Sequence, residues 1–146
     1  MIKTYEQIID FTTVASSFTK EKTKFAYACQ KVINRVALAS KKATKKYQER
    51  LADIDIEFAS VDEKDNLVLD GNKYCYTKEN ARKRLDAIRA EDAKLYETKI
   101  DFEPHYCNEL PELNEYQISC LTDFVINAEE NKLDEKVIDD TNSAVR

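Results

Sequence analysis

A chain of 146 residues, 42% hydrophobic and 35% charged, is long enough for one domain and short for two. One Gly and two Pro exclude a Gly-rich phosphate loop or a dinucleotide-binding turn, and the scarcity of chain breakers favours long helices. The net charge of -5 hides a polarity: ten Lys/Arg face two Glu between Lys20 and Arg50, whereas twelve Asp/Glu face three Lys/Arg from Asp101 onward.

The first segment, 1–19, reads as an N-terminal arm. Thr4 is placed to cap a short helix with Ile8, Ile9 and Phe11 on its apolar edge, although an extended arm also fits. Glu6 and Asp10 interrupt any secretory-type apolar run, and no stretch approaches the roughly 18 apolar residues of a membrane span. A soluble, cytoplasmic protein that makes no membrane contact is the expectation.

The next stretch predicts one long helix over 20–59. Phe25, Cys29, Val32, Val36, Ala39, Ala43, Tyr47, Leu51, Ile54 and Phe58 recur at steps of three or four, and no Gly or Pro interrupts them. Thr19 is the expected cap, and Lys20, Lys22 and Lys24 then oppose the helix dipole. Lys41, Lys42, Lys45, Lys46 and Arg50 form a basic stripe on the outer face.

A β-hairpin is predicted over 66–76, turning at Asp70-Gly71-Asn72, where the only glycine supplies positive φ. Thr77 then caps a second helix, 77–96, with Ala81, Leu85, Ile88 and Leu95 on one face and Asp92 in the seam. It is expected to return antiparallel along the first, with Asp92 facing a basic residue or lying at the seam edge.

Thr98, Ile100 and Phe102 alternate with charged residues, which predicts a strand over 98–103. Asn114 and Gln117 form a capping box for a helix over 114–128, with Ile118, Leu121, Phe124, Val125 and Ala128 inward. The acidic stretch 129–146 reads as a flexible tail in which Val137 and Ile138 can anchor to a partner. Residues 1–128 thus read as a single mainly α (α+β) domain, a long antiparallel helical hairpin with a small β element and a short C-terminal helix.

Chemistry finds little support in this pattern. His105 is the only histidine, and it shares a loop with Cys107. A nucleophilic pair needs contact and an orienting third group, which residues two apart on a loop do not guarantee. Glu103, His105 and Cys107 make a weak metal-ligand set without a second cluster. Cys29, Cys75, Cys107 and Cys120 lack C-x-x-C spacing and read as reduced thiols, Cys29 and Cys120 on apolar helix faces. No catalytic residue, metal ligand or cofactor is expected.

The layout resembles small proteins encoded by bacteriophages and prophages. The resemblance rests on the long Lys-rich helix, the turn from Asp65-Asn66-Leu67 through Gly71-Asn72-Lys73-Tyr74, the strand at Thr98 to Phe102, and the capped segment from Leu113 to Ile126. It implies a phage-encoded, non-enzymatic structural or assembly component, placed in the host cytoplasm or the virion.

By the arithmetic of helical rise, about 40 residues of the first helix face about 19 of the second, so part of the seam is left uncovered. Self-association is the leading expectation, with Phe25, Cys29, Val32, Val36, Tyr47, Lys41, Lys42, Lys45, Lys46 and Arg50 as interaction residues. One alternative is an inhibitor that docks on a host protein through the acidic C-terminal third. Another is a nucleic-acid-binding module that uses the basic stripe.

Overall fold

A computed structural model describes residues 1–128; the acidic stretch 129–146, with Val137 and Ile138, lies outside the described residues. The fold is mainly α with a small β component. In chain order the elements are β1 (Ile2–Thr4), α1 (Tyr5–Ser16), α2 (Lys24–Phe58), β2 (Leu69–Asp70), β3 (Lys73–Tyr74), α3 (Lys78–Glu97), β4 (Lys99–Asp101) and α4 (Glu115–Leu121). The described residues form two compact units: Met1–Ala39 together with Lys99–Ala128, and Ser40–Thr98. Helix α2 runs through both.

In the first unit, β1 and β4 pair antiparallel with Lys3 opposite Ile100, and the Phe102 amide donates to the Met1 carbonyl at 3.0 Å. Thr4 and Gln7 form a reciprocal capping box that starts α1. Phe11 of α1 stacks on Phe124 with ring centroids 4.2 Å apart, and Phe124 stacks on Phe102 at 4.9 Å. Around these rings Ile8, Phe25, Val32, Val36, Leu121, Val125 and Ile126 are buried. The strand alternation behaves as expected, with Ile100 and Phe102 both inside.

Three local expectations change here. Helix α2 is capped by Thr23, whose hydroxyl accepts from the Ala26 amide at 3.0 Å, and not by Thr19. Tight turns consume residues 17–21, and they set Phe18 edge-on to Phe25 at 5.2 Å. The C-terminal helix stops at Leu121 and does not reach Ala128. Thr122 is extended and Asp123 takes φ 71°, a left-handed conformation that Asp tolerates better than most residues. The carbonyls of Phe124 and Val125 then accept from the amides of His105 (3.0 Å) and Cys107 (2.8 Å). With the helix ended, Ile118 is exposed, while Phe124 and Val125 remain buried.

In the second unit, α2 and α3 run antiparallel. Tyr47 hydrogen-bonds Asp92, Arg50 meets Glu91, and Asp55 meets Arg84, so rising numbers on one helix pair with falling numbers on the other. Asp92 therefore meets a phenol and not a cation. Thr77 caps α3 by accepting from the Asn80 amide. The hairpin turns at Gly71, φ 63°, and a Cβ there would meet nothing within 4 Å. Its glycine answers to backbone conformation alone.

The aromatic stack ties α1, the β4 segment and the stretch after α4 into one core. Phe11→Ala is expected to cost the fold about 3–5 kcal/mol, read as a lower urea midpoint at unchanged slope.

Candidate functional site

The two units differ sharply in what they bury. The first four residues assigned to an uncovered seam, Phe25, Cys29, Val32 and Val36, are no more than 2% exposed. That is a correction: this part of α2 is core within its own unit, where Phe18 packs edge-on to Phe25 and Tyr27 to His105. In the second unit only Ser40 and Ile54 are buried, and the 20-residue helix α3 buries no residue at all. Ala43, Tyr47, Leu51 and Phe58 are half-buried. The open stretch of the seam lies in the second unit.

The small sheet of this unit adds an apolar face. Val61 pairs with Leu67, and Leu69 with Tyr74. Side chains directly opposite, or two apart along a strand, share one face. Val61, Leu67, Leu69 and Tyr74 therefore lie together, and each is at least 37% exposed. Behind them the Tyr76 hydroxyl donates to the Asp55 carbonyl at 3.1 Å, and the Arg84 guanidinium lies 5.1 Å from the Tyr76 ring centroid. Burial, followed by the Asp55 charge, pushes the Tyr76 phenol up.

A groove between α2 and α3 has a volume of about 200 Å³. Ala43, Tyr47 and Leu95 give it apolar walls, and Lys46, Arg50 and Lys94 edge it with cations. Arg50 is 3.5 Å from Glu91 and 3.7 Å from Asp53. Lys41, Lys42, Lys45 and Lys46 are exposed and enter no ion pair among the described residues. Lys41 and Lys45, Lys42 and Lys46, and Lys46 and Arg50 are like-charge neighbours four apart. Each such pair costs a helix about 0.2–0.5 kcal/mol.

The first unit carries a surface of opposite sign. Between Ile100 and Ala128 there are six carboxylates and no Lys or Arg. Glu109, Glu112 and Glu115 are exposed among Leu110, Tyr116 and Ile118, which are themselves 40% exposed or more. The acidic excess after Asp101 was visible in the sequence, whereas the sheet face was not singled out; the pairing of Leu67 and Leu69 with a short partner strand was the available signal for it.

Around His105 the structure builds a cleft of about 270 Å³ with Lys24, Tyr27 and Cys107. The His105 ring packs edge-on to Tyr27 with centroids 6.0 Å apart, and the Cys107 thiol donates to the Glu109 carbonyl at 3.5 Å. Glu103, His105 and Cys107 do not come together as a metal-binding group. No helix among the described residues is long and apolar enough to cross a membrane.

All four cysteines are free thiols, Cys29 and Cys120 buried, Cys75 and Cys107 half-buried. Burial, then Cys107 and Glu21, push the Cys29 thiol up to about 12. The folded chain holds this proton to higher pH than the unfolded chain. The stability linked to it is present below about pH 9 and is lost as pH rises towards 12. At pH 8 a thiol reagent is expected to titrate Cys75 and Cys107 in the native protein, and Cys29 and Cys120 only on unfolding.

No protein-family model matches this chain, and neither does any curated protein or solved structure.

Proposed function

We propose that this protein is a non-enzymatic, self-associating protein whose Ser40–Thr98 unit is its interaction module. The observation that carries the reading is a 20-residue helix with no buried residue, in a unit whose sheet presents four exposed apolar side chains on one face. A hairpin of two helices and a two-stranded ribbon gains little by itself. Fully burying one large aliphatic side chain contributes about 1.5–3 kcal/mol, and this unit leaves most of that unused. Apolar surface that one chain leaves open is normally closed by another polypeptide.

A structural or assembly role of the kind phages encode fits this reading, as does action inside the host cell or in the virion. The resemblance in layout supports it.

The test is mass against concentration by sedimentation or light scattering. The wild-type chain is expected to associate at roughly tens of micromolar, in the range of modest interfaces. Leu69→Asp with Tyr74→Asp is expected to weaken that association at least about tenfold, or 1.4 kcal/mol, while the first unit stays folded by near-UV circular dichroism. A strict monomer in the wild type contradicts the proposal.

A further inference from the structure

Two surfaces of this molecule have complementary chemistry, and each carries charged side chains that form no ion pair among the described residues. The first is the stripe and groove of α2: Lys41, Lys42, Lys45 and Lys46 form no ion pair among the described residues, and Lys46 edges the groove whose apolar walls are Ala43, Tyr47 and Leu95. The second is the stretch from Tyr106 to Ile118. There Glu112 and Glu115 also form no ion pair among the described residues, and they alternate with exposed Leu110, Tyr116 and Ile118. A groove with apolar walls and a cationic edge suits an acidic segment that carries apolar side chains. This chain displays such a segment on its own surface.

We infer that the cationic groove of one copy docks the acidic 106–118 surface of a second copy. The inference rests on the self-association proposed above and adds a second contact to that of the sheet face. It explains why like-charged lysines are repeated four residues apart, because an anionic neighbour offsets their mutual repulsion. The two surfaces are different patches, so a reciprocal exchange between two copies closes a dimer, and a one-way contact closes a ring or propagates.

Nucleic acid is the less fitting occupant. The Tyr47 hydroxyl is engaged by Asp92 and its ring is half-buried, so it is not a free stacking platform. The groove edge also carries the carboxylate of Glu91.

Two charge-reversal variants test the assignment: Lys42→Glu with Lys46→Glu, and Glu112→Lys with Glu115→Lys. All the substituted side chains are exposed, so both variants are expected to fold, and circular dichroism verifies this. Each variant alone is expected to associate at least about tenfold more weakly than wild type. A one-to-one mixture is expected to recover association, because reversed groove then meets reversed surface, and native groove meets native surface. Raising NaCl from about 50 mM to 500 mM is expected to weaken the wild-type assembly.

Association of both variants at wild-type strength overturns the inference and leaves self-association standing, as does a mixture that fails to recover. A wild-type chain that is monomeric throughout overturns both. Salt-sensitive retention of a DNA duplex that is lost in the lysine variant, with self-association unchanged, assigns the stripe to nucleic acid and overturns the inference.

Discussion

One uninterrupted helix, α2, with 35 residues, sets the terms for everything else in this chain. At 1.5 Å per residue it is about 50 Å long, and its apolar positions recur along the whole length. Every one of those positions needs cover. From Phe25 to Val36 the cover is complete, because residues from both ends of the sequence converge there. Phe11, Phe102 and Phe124 come from three separate segments and stack in series. The pairing of Ile2–Thr4 with Lys99–Asp101 and the ion pair from Lys3 to Asp123, 2.9 Å, hold those segments in register. From Ala43 to Phe58 the cover is one helix and a small sheet.

Charge and not packing defines how α3 lies in the second unit. Arg84 meets Asp55 at 2.7 Å and Glu91 meets Arg50 at 3.5 Å, each basic end against an acidic one. Exposed pairs of this kind contribute about 0–1 kcal/mol, so they select an antiparallel register more than they stabilise it. Reversing α3 would set Arg84 near the lysine stripe and Glu91 near Asp53 and Asp55. The same economy leaves Lys41, Lys42, Lys45 and Lys46 without carboxylates among the described residues. Low burial, an exposed sheet face and an unpaired cationic stripe all belong to the same unit. Together they are the features on which the proposed association rests.

Periodicity made α2 and α3 legible, and side-chain chemistry made their neighbours so. The Thr4–Gln7 and Asn114–Gln117 boxes, the Thr77 cap and the Gly71 turn are local signals with local causes. What periodicity does not carry is which part of a seam is covered, since that depends on contacts between residues about 100 apart. Phe25, Cys29, Val32 and Val36 looked like open seam because they are buried in a unit that joins the two ends of the chain, where Phe11 meets Phe124, and no short window reveals that meeting. The early stop at Leu121 was hidden for a related reason. Phe124 and Val125 continue a helical apolar pattern, yet they lie in a turn whose carbonyls accept from the His105 and Cys107 amides. Of the groove residues, Lys46 and Arg50 were visible in the basic stripe and Tyr47 in the apolar seam, but Asp92 as the partner of Tyr47 was not, because periodicity gives only the face and not the neighbour.

The central claim is that the first unit carries its own core whereas the second is completed by association. Native-state hydrogen exchange as a function of protein concentration tests it most directly. The account predicts strong protection of the amides from Phe25 to Val36 at every concentration, and protection in Lys78–Glu97 that rises as the protein is concentrated. Protection of Lys78–Glu97 that is already high in dilute solution and unchanged on concentration would contradict it.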